Sequence, residues 1–313
     1  MTNLSEFTFL SSDGKTQLHG MLWEPEGVAV RAVLQICHGV AEHIARYDGF
    51  ARALNEQGIV VAGHDHLGHG KSLPEGGTPV YFGQGSTWNT VVDDIYILHQ
   101  RLKQRYPDAP LCIMGHSMGS FLTRTYLIRY PGTVKAAVIM GTGWQPRAAI
   151  TGGLALANAI AAVSGENATS ELVTELAFGS YNKLFAPNRT KVDWLSADES
   201  NVDDYIADPL CGADATVGLF RQMLHGIRFN QRQSHLRQMD REMPVLFVAG
   251  DKDPVGNCGK GVRQTYDAFR AAGMRDCTLK LYPGLRHEIL NEKAYTADIT
   301  KNIEAWLLSR LEK

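Results

Sequence analysis

The five residues Gly115-His116-Ser117-Met118-Gly119 constrain this chain more than any other stretch. They follow the apolar run Leu111-Cys112-Ile113-Met114 and precede a segment, 121–130, of helical character. A serine between two glycines at that junction reads as a tight turn from strand into helix, which lifts the hydroxyl clear of the sheet edge. The glycines have a steric reason, because neighbouring chain passes too close there for a Cβ. The amides that follow open a helix N-terminus, where developing negative charge is favoured.

Such a unit belongs in a layered structure, and the rest of the chain supplies the layers. Residues 7–10 and 17–23 alternate around Ser12-Asp13-Gly14, which predicts an opening hairpin. Residues 31–37 form a buried-type strand ending at His38-Gly39, and 47–57 have helical spacing (Phe50, Ala53, Leu54) with Gly58 as C-terminal cap. A buried strand at 59–62 is followed by a long loop and a helix over about 88–106, apolar at Val91, Ile95, Leu98 and Leu102. Residues 134–140 give the strand after Ser117. From about 144 to 240 the text is helix-like and loop-like, with Asp208-Pro209-Leu210-Cys211-Gly212 as a turn. Strand, helix and strand return at 243–249, 261–272 and 278–282, and a last helix carries Ile299, Ile303, Trp306 and Leu307 on one face. The fold expected is α/β: a mostly parallel sheet with helices on both faces, a core of 1–143 and 241–313, and an inserted helical cap of 144–240.

With 313 residues, 44% of them hydrophobic and 20% charged, the chain has ample core for this. A net charge of −2 and the lack of a basic tract give no footprint for nucleic acid. The five cysteines are an odd number without a C-x-x-C pair, which argues against a disulfide framework and for a reducing, cytoplasmic setting. No secretory leader is visible in residues 1–10. The uncharged stretch 148–165, interrupted by Gly152, Gly153 and Asn158, is read as too short to span a membrane and as a covering helix with an apolar underside.

A serine hydroxyl needs a base, and the base an orienting acid. In doubly wound sheets such groups gather at the carboxyl ends of strands. Gly250-Asp251-Lys252-Asp253 follows one strand and Pro283-Gly284-Leu285-Arg286-His287 the next. Asp253 lies further out, where it can swing toward a neighbouring loop, and is preferred as the acid. Asp251 directly ends the strand and is read as capping the turn. An oxyanion on the attacked group needs two donors already aimed at it. The Met118 amide is one. The other is assigned to the Val40 amide, in the loop after the first long strand, where Gly39 permits the turn.

Here a resemblance becomes specific. His38-Gly39-Val40-Ala41-Glu42-His43 with Arg46-Tyr47 resembles the HGxxEH…RY segment of the monoacylglycerol lipase and lysophospholipase branch of the α/β-hydrolases. Residues 63–72 resemble its D-x-x-G-H-G-x-S loop, Gly115 to Gly119 its GHSMG turn, and Gly250 to Asp253 its G-x-x-D acid turn. The resemblance implies a serine hydrolase of acyl esters of glycerol or glycerophospholipids, needing no cofactor or metal. Ser117, Asp253 and His287 would be the triad, and His38, Gly39, Glu42, His43, His116 and Asp251 would support it. It also implies a cap that forms the acyl tunnel, through which contact with a lipid interface would run. The order Ser, Asp, His is the one expected of that fold.

Other patterns were weighed. His64-x-His66-x-x-His69 lacks the aspartate that a metallo-β-lactamase-type cluster needs before its last histidine, so it is read as a hydrogen-bonded loop. Gly70-Lys71-Ser72 lacks the first glycine of a phosphate loop. His43 with Asp48 has acyltransferase spacing by chance. An acyltransferase, thioesterase, aminopeptidase or slow-turnover ligand receptor would keep the same triad. For an aminopeptidase, Glu166, Glu171 and Asp204 would be the groups to meet a substrate amine.

Overall fold

The computed structural model describes residues 1–311. Eight strands form one sheet: β1 (Thr2–Leu10), β2 (Gln17–Pro25), β3 (Ala32–Cys37), β4 (Ile59–His64), β5 (Leu111–His116), β6 (Ala136–Met140), β7 (Val245–Gly250) and β8 (Cys277–Tyr282). Their order is β1-β2-β4-β3-β5-β6-β7-β8. The β1–β2 and β2–β4 pairs are antiparallel and every later pair is parallel. The hairpin and the parallel remainder are those the sequence predicts.

Strands 3 to 7 are apolar at nearly every position because both faces are covered. Successive side chains point to opposite faces. Val33, Val60, Ile113, Ile139 and Phe247 join a core shared with α2 (Trp88–Arg105), α3 (Met118–Arg129) and the helix Lys260–Ala271. Leu34, Val61, Met114, Val138 and Leu246 join the opposite core, closed by α1 (Asp48–Asn55) and the helix Thr296–Leu311. In that last helix Ile299, Ile303 and Leu307 are buried, and Trp306 is partly buried against them.

Between β6 and β7 the chain is helical, with α4 (Arg147–Ser164), the helices Glu199–Ala207 and Val217–Asn230, and shorter turns. The expected underside of α4 is narrow. Only Ile150, Leu154 and Ala157 are buried, while Val163 is 89% exposed. By length and composition α4 does qualify as a membrane-crossing helix, with 17% of it buried, so the reading that it is too short does not hold. All five cysteines are free thiols, and Cys37 and Cys112 are buried.

Candidate active site

The carboxyl ends of β3, β5, β6, β7 and β8 share one edge, because these strands are parallel and adjacent. Ser117 leaves β5 with φ 54° and ψ −121°, a region L-residues avoid, and caps α3. The glycines around it are there for space. A Cβ on Gly115 would run into the Gly119 carbonyl and the Thr123 hydroxyl, and one on Gly119 into the carbonyls of Cys37 and His38.

Asp253 is fully buried after β7, and its Oδ1 accepts from His287 Nδ1 at 3.0 Å and from the Val255 N–H at 2.9 Å. The geometry requires the His287 proton on Nδ1, which leaves Nε2 for chemistry. Asp251 takes the other role, accepting the Gly284 N–H at 2.8 Å and so capping the β8 turn. Among the described residues no hydrogen bond joins the Ser117 hydroxyl to His287. The Val40 and Met118 N–H groups likewise donate to no acceptor among the described residues. The loop that carries Val40 passes close to Ser117, since Cys37 pairs with Gly115 and a Cβ on Gly39 would lie 3.1 Å from Ser117 Cβ.

Gly39 corrects the sequence reading. The residue of that loop with positive φ is Ala41, at 53°, and Gly39 is glycine because a Cβ would stand 2.6 Å from the Glu42 carboxylate and 3.1 Å from Ser117 Cβ. The loop is braced from below. The Gly39 N–H donates to Glu42 Oε1 at 2.5 Å, and the Tyr47 hydroxyl to the same oxygen at 3.0 Å. His38 Nδ1 faces the Gly39 carbonyl at 2.7 Å while its Nε2 accepts the His66 N–H at 2.9 Å, which fixes a neutral tautomer. Burial lowers its pKa, in the same sense.

His116 lies under Ser117 with Nδ1 3.2 Å from Glu42 Oε1 and Nε2 3.3 Å from the His287 carbonyl. Both ring nitrogens face acceptors, the arrangement of an imidazolium. Burial pulls its pKa down, and the bond and charge of Glu42 raise it above the ordinary value. Burial pushes Glu42 up, but the bond and charge of His116 and the charge of Arg46 hold it well below the carboxylate range.

The sequence reading gave no role to Arg46 and missed Glu288. Arg46 Nη1 and Nη2 donate to the two Glu288 oxygens at 2.7 and 2.8 Å, and Nη1 also to Glu42 at 3.0 Å. Asn201, from the helical insertion, donates to Glu288 at 2.8 Å. The residue next to His287 is therefore tied to the 38–46 loop. The only sequence signals were the i,i+4 spacing of Glu42 and Arg46 and the adjacency of Glu288 to His287. Trp194 was also missed; its ring lies 5.2 Å from that of His287 and leads into Tyr181 and Phe178.

The loop 63–72 is structural. Asp65 accepts the Ile44 N–H at 2.8 Å, the Lys71 N–H at 2.9 Å and faces His19 Nδ1 at 2.9 Å. His64, His66 and His69 are buried rings packed edge to face; burial pushes His64 down to about 3 and His69 to about 4. They are not a convergent metal-ligand set among the described residues. His43 and Asp48 do not meet: His43 faces Asp208 at 2.8 Å, and Asp48 accepts from Trp23 Nε1 at 2.8 Å. Glu166 is paired with Arg221, and Glu171 is exposed.

The chain is similar to known proteins over nearly its whole length. Residues 28–294 match the family described as serine aminopeptidase, S33. The chain is 31% identical over 312 residues to a monoacylglycerol lipase of Mycolicibacterium smegmatis, with 98% of each covered. It is 28% identical to a mouse monoglyceride lipase, over 96% of this chain and 90% of that one. A solved carboxyl esterase from Bacillus coagulans, in complex with glycerol, superposes with a TM-score of 0.92 at 26% identity, covering 99% of this chain and 100% of the other.

Proposed function

The chain belongs to the serine aminopeptidase S33 family of α/β-hydrolases and is a carboxylic ester hydrolase, and from that premise we propose that it cleaves monoacylglycerols through an acyl-enzyme on Ser117. His287 Nε2 takes the Ser117 proton as the hydroxyl attacks the ester carbonyl, and Asp253 stabilises the imidazolium that forms. The Val40 and Met118 amides receive the oxyanion. His287 then protonates the leaving glycerol oxygen and activates the water that frees the acid. The Ser117–His287 hydrogen bond forms as substrate excludes water, as loose apo geometries tighten in the substrate complex.

The observation that carries the lipid reading is the aromatic wall beside His287. Trp194 stacks 6.2 Å from Phe178, which lies 5.4 Å from Phe220, so an apolar surface continues from the base into the insertion. Burying an acyl chain there yields roughly 0.8 kcal/mol per methylene. Residues 144–240 act as the cap over this path. Its exposed apolar side chains, Val163, Leu172, Leu176 and Leu184, suit transient contact with a lipid interface. The free thiols support a cytoplasmic protein.

An aminopeptidase needs carboxylates free to hold the substrate ammonium. Glu166 is engaged by Arg221 and Asp204 lies 3.8 Å from Lys293, while Glu171 is exposed, so the anilide in the series below decides between the two readings. The test is a chain-length series of p-nitrophenyl esters alongside monoacylglycerol, lysophosphatidylcholine and an aminoacyl p-nitroanilide. Long acyl esters and monoacylglycerol should turn over fastest. Preference for two- to four-carbon acyl groups, or for the anilide, contradicts the proposal.

A further inference from the structure

His43, Asp208 and Cys211 lie where the 38–46 loop meets the insertion, away from the reacting atoms. Each offers one ligand atom, and these atoms lie within 4.8 Å of one another. His43 Nε2 and Asp208 Oδ2 are already 2.8 Å apart, with side chains 10% and 29% exposed. We propose that this trio binds a borderline divalent cation of the zinc class, which latches the 208–212 turn onto the 38–43 loop.

The donor set selects the metal. One imidazole nitrogen, one carboxylate oxygen and one thiolate suit Zn²⁺, Co²⁺ or Cd²⁺ and not Mg²⁺ or Ca²⁺, which take oxygen ligands. Ligand atoms around tetrahedral zinc stand about 3.3–3.7 Å apart, so the cation replaces the 2.8 Å His43–Asp208 hydrogen bond by spreading its two atoms, and closure also needs a small swing of the Cys211 side chain. Solvent completes the fourth position on the exposed side of Asp208.

The backbone around the trio is already fixed. Asp208 Oδ1 accepts the Leu210 N–H at 2.9 Å, which leaves Oδ2 for the cation. The Cys211 N–H donates to the Asp208 carbonyl at 3.0 Å. The Gly212 N–H and the Tyr205 hydroxyl both donate to the Ala41 carbonyl at 3.0 Å, joining the two segments. Arg46 lies nearby, over the Tyr205 ring, and its charge is met by Glu42 and Glu288. With Asp208 that makes three carboxylates against one guanidinium, and the balance stays negative with His116 protonated. Binding releases the Cys211 thiol proton to solvent, and the neutral His43 ring carries its proton on Nδ1 so that Nε2 is free to ligate.

None of the three side chains is a reacting group, and the test reads metal binding directly, so its outcome does not depend on the ester reaction. The full reduced chain is titrated with Co²⁺ and followed by absorption. The expected result is a near-ultraviolet thiolate-to-cobalt charge-transfer band that Zn²⁺ displaces. Cys211→Ser should abolish the band, His43→Gln should weaken binding on the order of 100-fold, and Cys258→Ser, which removes an exposed thiol, should leave it intact. Melting temperature should rise with Zn²⁺ in the wild type and not in Cys211→Ser. If Cys211→Ser does not fold, Cys211→Ala gives the same comparison. A wild-type chain without the band, or a band that survives Cys211→Ser, overturns the proposal.

Discussion

At Ser117 the backbone holds a conformation that costs a residue bearing a Cβ about 1–3 kcal/mol, and the site depends on it. Ser117→Gly relieves that strain and Ser117→Ala does not, so the glycine variant should melt at the higher temperature while both lose activity. Equal melting temperatures would mean that the turn stores no strain. The two aspartates of the β7 turn divide the work in the same local way. Asp253→Asn takes the acceptor from His287 Nδ1 and should lower kcat roughly 10³- to 10⁴-fold. Asp251→Asn disturbs only the cap on Gly284 and should change kcat little, and the opposite ranking would exchange their roles. Ser117, His287 and both aspartates were legible because each sits at a strand end, where a short motif fixes its place. Gly39 was misjudged because a turn and a close approach both call for glycine. Only the fold shows that the Glu42 carboxylate and Ser117 crowd it.

Between elements, two polar ties position the edge that carries the site. Arg46 and Glu288 are 242 residues apart in sequence and nearly buried together, so no local pattern announced them. Arg46→Met leaves Glu288 as an uncompensated buried charge, with Glu42 still facing His116, and should cost about 3–5 kcal/mol in denaturant unfolding, against under 1 for an exposed pair. The second tie joins β2 to the 63–72 loop through His19 and Asp65. The Asp65 hydrogen bond raises His19 above its ordinary 6.5. Burial raises Asp65, but its bond to His19 and the amides of Ile44 and Lys71 bring it down to about 2. The raised histidine contributes fully below 6.5 and fades as pH rises through its folded value. The depressed aspartate contributes fully above 3.8 and fades as pH falls toward 2. Both therefore act together between those ordinary values. The melting-temperature difference between wild type and His19→Gln should be greatest there and shrink at alkaline pH; a difference that grows with pH contradicts the pairing. Strands were legible as apolar runs because both sheet faces are covered. The structure extends β4 and β5 by two residues each, through His64 and His116, where pairing with neighbours continues past the apolar text.

For the molecule as a whole, the core was legible, and so were the place and helical character of the insertion, but not the insertion's packing. Alternating strand and helix text allows few layered arrangements, whereas residues 144–240 hold short helices whose packing depends on partners distant in sequence. Its uncharged α4 was read as a covering helix with an apolar underside, and that underside is narrow, because a charge-free stretch does not state how wide a face it hides. The catalytic account uses only side chains and backbone amides, so turnover should persist in excess chelator, and a chelator-sensitive activity that Zn²⁺ restores in Cys211→Ser, where the latch lacks its thiolate, would contradict it. The most direct measurement of the central claim is acid-quenched mass spectrometry during turnover of a p-nitrophenyl ester. An acyl adduct should appear on the peptide containing Ser117, at a level set by acylation and deacylation, and Ser117→Ala should show neither adduct nor turnover. Turnover by a folded Ser117→Ala variant, or an adduct on another residue, would contradict the mechanism.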